Sequence, residues 1–223
     1  MQRPGEFFMI RERESAGYLL GETAQLLRVN AGMALAALGA MTLIGTAPDL
    51  YPDFTSLAAL ASLVVTLVLQ YEISSALLLH YGLLDGGGHR RRLLALLGLN
   101  LISGIGILLG LIILILPGAY LFVRWSAAVP ALIAEEADIS GALGRSAEAV
   151  RGRFWHVLGA MLVVWTPFVT GLLASALVPE TEVLIQSLVL NLSINLSLVT
   201  GWHLAVAIYA GRQDGGRLAE VFA

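Results

Sequence analysis

The sequence predicts an all-α, polytopic membrane helix bundle, with about six transmembrane helices and additional in-plane amphipathic helices. Three observations predict it. Of 223 residues, 57% are hydrophobic and only 13% charged, a balance that would leave a soluble fold with an apolar surface. Apolar runs near the ~20 residues needed to cross a bilayer recur along the whole chain. All thirteen positive residues are arginine, and twelve fall where those runs leave them on one side of a membrane. Basic residues gather on cytoplasmic loops, so the asymmetry orients each crossing. The expected address is a bacterial inner membrane, as one integral domain over 1–223 with both termini cytoplasmic.

Residues 1–30 mix charge with apolar positions. Tyr18, Leu19, Ala24, Leu26 and Leu27 recur at helical spacing against Arg11, Arg13, Glu14 and Glu22. They predict a cytoplasmic helix, either lying in the membrane interface or solvated. The first crossing is Ala31 to Ala47, closed by Asp49, Pro52 and Asp53. The second runs from Leu57 to Leu84 and ends in Asp85-Gly86-Gly87-Gly88. The third, Leu93 to Leu116, is stopped by Pro117-Gly118, a helix-breaking pair. Ala119 to Ala134 is short and carries Arg124 and Pro130. Parity assigns it as a crossing, because the basic sets at 90–92 and 145–153 belong on the same side. Ser140 is the expected N-cap of an in-plane helix near 139–152. Phe154 to Val178, with Pro167 inside it, is the fifth crossing, and Val183 to Ala210 the sixth. Residues 211–223 form a cytoplasmic tail.

Several functions are disfavoured by the same residues. There is no cysteine, so disulfides, thiolate metal sites and thiol nucleophiles are excluded. His80, His89, His156 and His203 show no metal-ligand spacing, no serine sits in a nucleophile elbow, and the glycines at 86–88 precede no phosphate-loop lysine. No catalytic, cofactor or metal site is expected, and the protein reads as a non-enzyme. Nucleic acid is not an expected partner, because topology already accounts for the arginines. A secretory signal is not expected either, since the first apolar run begins only at Ala31.

Ionisable and amide groups inside the crossings are the candidate functional residues, since each costs ~2.5–3.5 kcal/mol or more to insert if charged. By helical rise, Glu72, Asn100 and His203 fall at similar depth, with Gln70 and Asn195 close by. Two readings stand: a polar layer lining a water-filled path, or a buried hydrogen-bonded cluster joining helices. Glu72 is expected to pair with His203 or with Arg124. Ser187, Asn191 and Asn195 share one face of the sixth crossing, and Ser193, Ser197 and Thr200 lie roughly opposite. Arg124, placed about five residues inside the outer edge, either snorkels to lipid phosphates or points inward to an ion pair or headgroup. Arg90, Arg91, Arg92, Arg145, Arg151 and Arg153 form a candidate rim for anionic lipid.

The segment LPGAYLFVRWSAAVPALIAEE from Leu116, followed by GALGRSAEAVRGRFWHVLG at 141–159, resembles the membrane domain of YciC-like bacterial inner-membrane proteins. It is similar also to the membrane region fused to some glycerophosphoryl diester phosphodiesterases. Pro117-Gly118, Tyr120, Arg124, Pro130, Ala142, Ser146, Arg151-Gly152-Arg153 and Trp155 carry the likeness, with Ala207-Ile208-Tyr209, Arg212 and Asp214-Gly215 near the end. The resemblance implies six helices and an inner-membrane address but no activity, and this chain leaves no room for the soluble catalytic domain of the fusions. The expected function is envelope homeostasis or lipid interaction. The expected partners are anionic membrane lipids, with a membrane-protein partner or homo-oligomer open. The alternatives are a small transporter or channel built on the Glu72 layer, or an enzyme acting on lipid.

Overall fold

The computed structural model describes residues 15–84, 92–179 and 181–221, and among them there is no strand. The helices are α1 (Ala16–Val29), α2 (Ala31–Leu50), α3 (Thr55–His80), α4 (Leu93–Ile113), α5 (Ile115–Arg124), α6 (Ala128–Ala134), α7 (Ile139–Val150), α8 (Phe154–Ser175) and α9 (Val183–Val221). Six stretches are long and apolar enough to cross a membrane: Ala31–Leu50, Thr55–His80, Leu93–Ile113, Ile115–Ala134, Phe154–Ser175 and Val183–Gln213. The chain is therefore a multi-pass, all-α membrane-type bundle.

Long helices alternate in direction. Asp49 of α2 meets Ser187 of α9, while Arg153, just before α8, reaches the Ile208 carbonyl of α9. One end of the bundle thus holds the α2–α3 and α8–α9 connections and their acids. The other, basic end holds Arg92, Arg153 and the last turns of α3 and of the α9 span. The core runs through Ile73, Leu77 and Leu78 of α3, Leu96 and Leu99 of α4, Leu132 of α6, and Val206 and Ile208 of α9. Leu94, Leu116 and Leu177 are more than four-fifths exposed (85%, 81% and 86%), as expected where the surrounding solvent is lipid.

Several boundaries differ from the sequence reading for identifiable reasons. The third crossing ends before Leu114, whose backbone is extended (φ −158, ψ 138), not at Pro117-Gly118. Proline is tolerated in a helix's first turn, where its missing N–H has no intrahelical partner to lose, so Pro117 opens α5. Gly118 then packs on Gly110: a methyl added at Gly110 would lie 2.8 Å from the Gly118 Cα. Ala119 to Ala134 is no continuous helix either, because Trp125, Ser126 and Ala127 form a turn between α5 and α6. The N-cap of α7 is Asp138 rather than Ser140: its carboxylate accepts from the Gly141 amide at 3.0 Å and from the Ser140 hydroxyl at 2.7 Å. Helix α9 continues past Ala210, the expected end of the sixth crossing, to Val221.

Helix α1 buries Leu19, Thr23 and Leu26, spaced i, i+4, i+7, against α8 and α9. Its inward stripe uses Thr23 where the sequence pattern pointed to Ala24, which is exposed. Thr23 suits the interior because its hydroxyl donates to the Leu19 carbonyl at 2.7 Å. The glutamate of this helix, Glu22, accepts from the Tyr81 hydroxyl at the end of α3. Residues 1–14 lie outside the described residues.

Candidate intramembrane site

Helix α9 carries its two polar faces to two different neighbours. Toward α2, the Ser187 hydroxyl donates to Asp49, the Asn191 amide donates to the Ser187 carbonyl at 3.0 Å, and Asn195 donates to the Thr42 hydroxyl at 3.4 Å. Gly45 faces Asn191 directly, and any β-carbon there would collide with the amide. Toward α8, Ser193 fills the space over Gly171. The Ser197 hydroxyl accepts from the Phe168 amide at 3.0 Å. Pro167, inside the same helix, lacks an N–H to give the ladder, and the Ser197 hydroxyl meets the amide that follows it. These contacts bind helices together where water cannot satisfy backbone groups.

The residues expected to form one polar layer are brought together only in part. Gln70 and Asn100 meet: the Asn100 amide donates to the Gln70 Oε1 at 2.8 Å. Asn195 belongs to the α2–α9 seam instead. His203 is fully buried, its Nδ1 lies 2.7 Å from the Val199 carbonyl of its own helix, and its Nε2 has no hydrogen-bond partner. No hydrogen bond therefore joins His203 to Glu72. Glu72 is half-buried on α3, and at ~100° per residue it sits about 200° around the helix from Gln70.

Gln70 and Asn100 open onto a cavity of about 200 Å³ between α3, α4, the α5–α6 turn, α8 and α9. Its wall includes Ser103, Phe122, Trp125, Ser126, Trp165 and Trp202, and excludes Glu72, Asn195 and His203. Aromatic contacts fix part of the wall, with the Phe122 and Trp165 rings 5.8 Å apart edge to face. Trp125 packs over Gly106, where an added methyl would lie 2.7 Å from the indole. Gly106 and Gly110, one helical turn apart, both serve packing within the chain. No local sequence pattern marks this cavity, because its residues come from separate helices.

At the basic end, three of the four described rim arginines are already engaged. The Arg92 guanidinium donates to the Ala137 carbonyl at 2.8 Å. Arg145 pairs with Glu135 at 2.9 Å and Glu148 at 3.5 Å, and Glu135 also accepts from the Tyr209 hydroxyl at 2.9 Å. Arg153 is buried and donates to the Ala149 carbonyl at 2.9 Å and to the Ile208 carbonyl. Arg151 is exposed; Arg90 and Arg91 lie outside the described residues. Asp138 is held below the usual carboxylate range, first by the Ser140 hydroxyl and then by the Gly141 amide.

Arg124 belongs to this end, not near the outer edge where helical rise alone puts it. The buried Ser146 hydroxyl of α7 donates to the Arg124 carbonyl at 2.8 Å and accepts from the Ala127 amide at 3.0 Å. Those two hydrogen bonds staple the α5–α6 turn to α7, whose first residue Ile139 packs on Gly98 near the start of α4. Tyr120, one turn before Arg124, stacks on Phe154 at the start of α8 (5.7 Å between rings). The Arg124 guanidinium lies 5.4 Å from the Tyr120 ring centre and donates to its hydroxyl. That is its one hydrogen bond to the described residues, so Arg124 pairs with neither Glu72 nor another carboxylate there. Nearby Trp155 is 77% exposed. No protein family, no curated protein and no solved structure matches this chain.

Proposed function

We propose that this protein is a non-enzymatic, YciC-like component of the bacterial inner membrane, with both termini cytoplasmic. In this reading it acts in envelope homeostasis by holding anionic lipid at its basic end. The observation that carries the reading is Arg124. Arg124 is half-buried as a residue but holds its guanidinium at the exposed edge of an apolar bundle, where a single tyrosine hydroxyl meets it beside Tyr120, Phe154 and the exposed Trp155. A guanidinium has five N–H donors in a planar fork. In hydrocarbon, donors left over seek a strong acceptor, and phosphate oxygens accept in a bidentate manner. Aromatic side chains with a polar edge suit the headgroup level where such a phosphate sits. Arg151 adds an exposed cation close by, at up to ~1 kcal/mol toward an anionic surface.

The test is mass spectrometry of lipids retained by the purified parent and by Arg124→Lys, with Arg28→Lys as control. The expected result is loss of retained anionic phospholipid in Arg124→Lys alone, because an ammonium keeps the charge but not the fork. Equal anionic lipid in all three proteins would overturn the reading.

A further inference from the structure

We infer that the intramembrane cavity between α3, α4, the α5–α6 turn, α8 and α9 binds an uncharged lipid-soluble molecule through a carbonyl group. The inference stands apart from the headgroup reading, since Arg124 does not line this space.

Charge sets the first limit. None of the lining residues is ionisable, so a buried ion or zwitterion would find no counter-charge and would pay its full desolvation. The wall is nevertheless polar in one sense: beside the Asn100 Oδ1 and serine oxygens, it includes several side-chain donors that no described residue takes up. The indole N–H groups of Trp125, Trp165 and Trp202 make no hydrogen bond to any described residue. Gln70 spends its oxygen on Asn100, which leaves the Gln70 amide N–H groups unspent, while Ser103 donates back to the Leu99 carbonyl at 2.7 Å. An unmet donor in a low-dielectric interior costs ~1–3 kcal/mol. A carbonyl oxygen, with two lone pairs and no donor, complements such a wall; a hydroxyl or amine adds a further donor. The aromatic faces of Phe122, Trp165 and Trp202 supply apolar contact for the rest of the molecule. Two kinds of membrane molecule bring a carbonyl on a long apolar chain: acyl esters of lipids and ring ketones of quinones.

The experiment uses the full chain in detergent, in a Trp155→Phe background that removes the most exposed tryptophan. Tryptophan emission is followed during titration with three probes: a bromine-labelled diacylglycerol, a short-chain benzoquinone, and 1-bromododecane, which lacks a carbonyl. The expected result is saturable quenching by the ester or the quinone at lower concentration than by bromododecane; whichever saturates first identifies the source of the carbonyl. Ala205→Phe, which fills the cavity, should weaken that midpoint at least about tenfold, or ~1.4 kcal/mol, while Arg28→Lys leaves it unchanged. If Ala205→Phe melts early, the smaller Gly201→Val carries the same test. No saturable quenching, bromododecane binding as well as the carbonyl probes, or indifference to the folded cavity-filling variant would each overturn the inference.

Discussion

Gly45→Ala should damage the bundle far more than its single methyl suggests. The added carbon would fall on the Asn191 Oδ1, 3.0 Å from Cγ and 3.7 Å from Cβ. Asn191 cannot swing away freely, because its amide holds the Ser187 carbonyl at 3.0 Å and the Ser187 hydroxyl at 3.2 Å, and Ser187 in turn holds Asp49. Overpacking a tight contact costs ~1–3 kcal/mol, and each displaced interhelical hydrogen bond in a membrane adds about 0.6 kcal/mol. A total of about 2–4 kcal/mol corresponds to a drop of roughly 4–16 °C in melting temperature for a chain of this length. Thermal unfolding followed by circular dichroism in detergent reads this directly. Gly39→Ala on the same helix is the control, since its added methyl meets nothing within 4 Å. Adding Asn191→Ala to Gly45→Ala should recover much of the loss, the non-additivity expected of contacting residues. A Gly45→Ala protein that melts with the parent would refute the seam as a tight interface.

Ser146→Ala should lower stability by ~1–3 kcal/mol, because it strips the buried Ala127 amide of its acceptor and the Arg124 carbonyl of its donor; chemical denaturation of the detergent-solubilised protein measures it. Asp138 has a folded pKa depressed below 3.8, so its cap on α7 is fully present above that value and lost as pH falls through the lower folded value. Asp138→Asn should therefore flatten the acid side of the stability profile below about pH 4. With no native cysteine, single cysteines at Asp49, Thr181, Gly87 and Gly215 report sidedness. An impermeant thiol reagent on intact cells should label the first two only, and labelling at Gly87 or Gly215 before lysis would contradict the cytoplasmic assignment.

What the sequence revealed follows from range. Crossing segments are local, since each needs only a run of apolar residues, and Ala31, Leu93, Phe154 and Val183 open helices where the runs begin. Endings depend on context. Pro117 reads as a stop in sequence but sits harmlessly in a first turn, and the actual break falls between Leu114's apolar neighbours with no compositional mark. Asp138 and Ser140 are both good caps two residues apart, and only the geometry chooses. The helix polarity of Ser187, Asn191 and Asn195 against Ser193 and Ser197 was visible, and it corresponds to two packed neighbours. Depth counting matched Gln70 to Asn100, yet it could not give azimuth, so it grouped Glu72, His203 and Asn195 with residues facing elsewhere. Arg124 was misplaced in depth because the rise was counted from Ala119, whereas the helix begins at Ile115 and has Arg124 as its last residue. The cavity, built from side chains more than a hundred residues apart in sequence, had no local signature at all.

The proposed role is tested most directly by titrating detergent-solubilised protein with anionic and zwitterionic phospholipid while recording the melting temperature. A ligand that binds only the folded state stabilises by RT ln(1 + [L]/Kd), about 2.7 kcal/mol at a hundredfold excess over Kd. The account predicts a saturable rise with phosphatidylglycerol, a smaller one with phosphatidylcholine, and loss of that difference in Arg124→Lys. Equal stabilisation by both lipids, or an anionic preference that survives in Arg124→Lys, would contradict it.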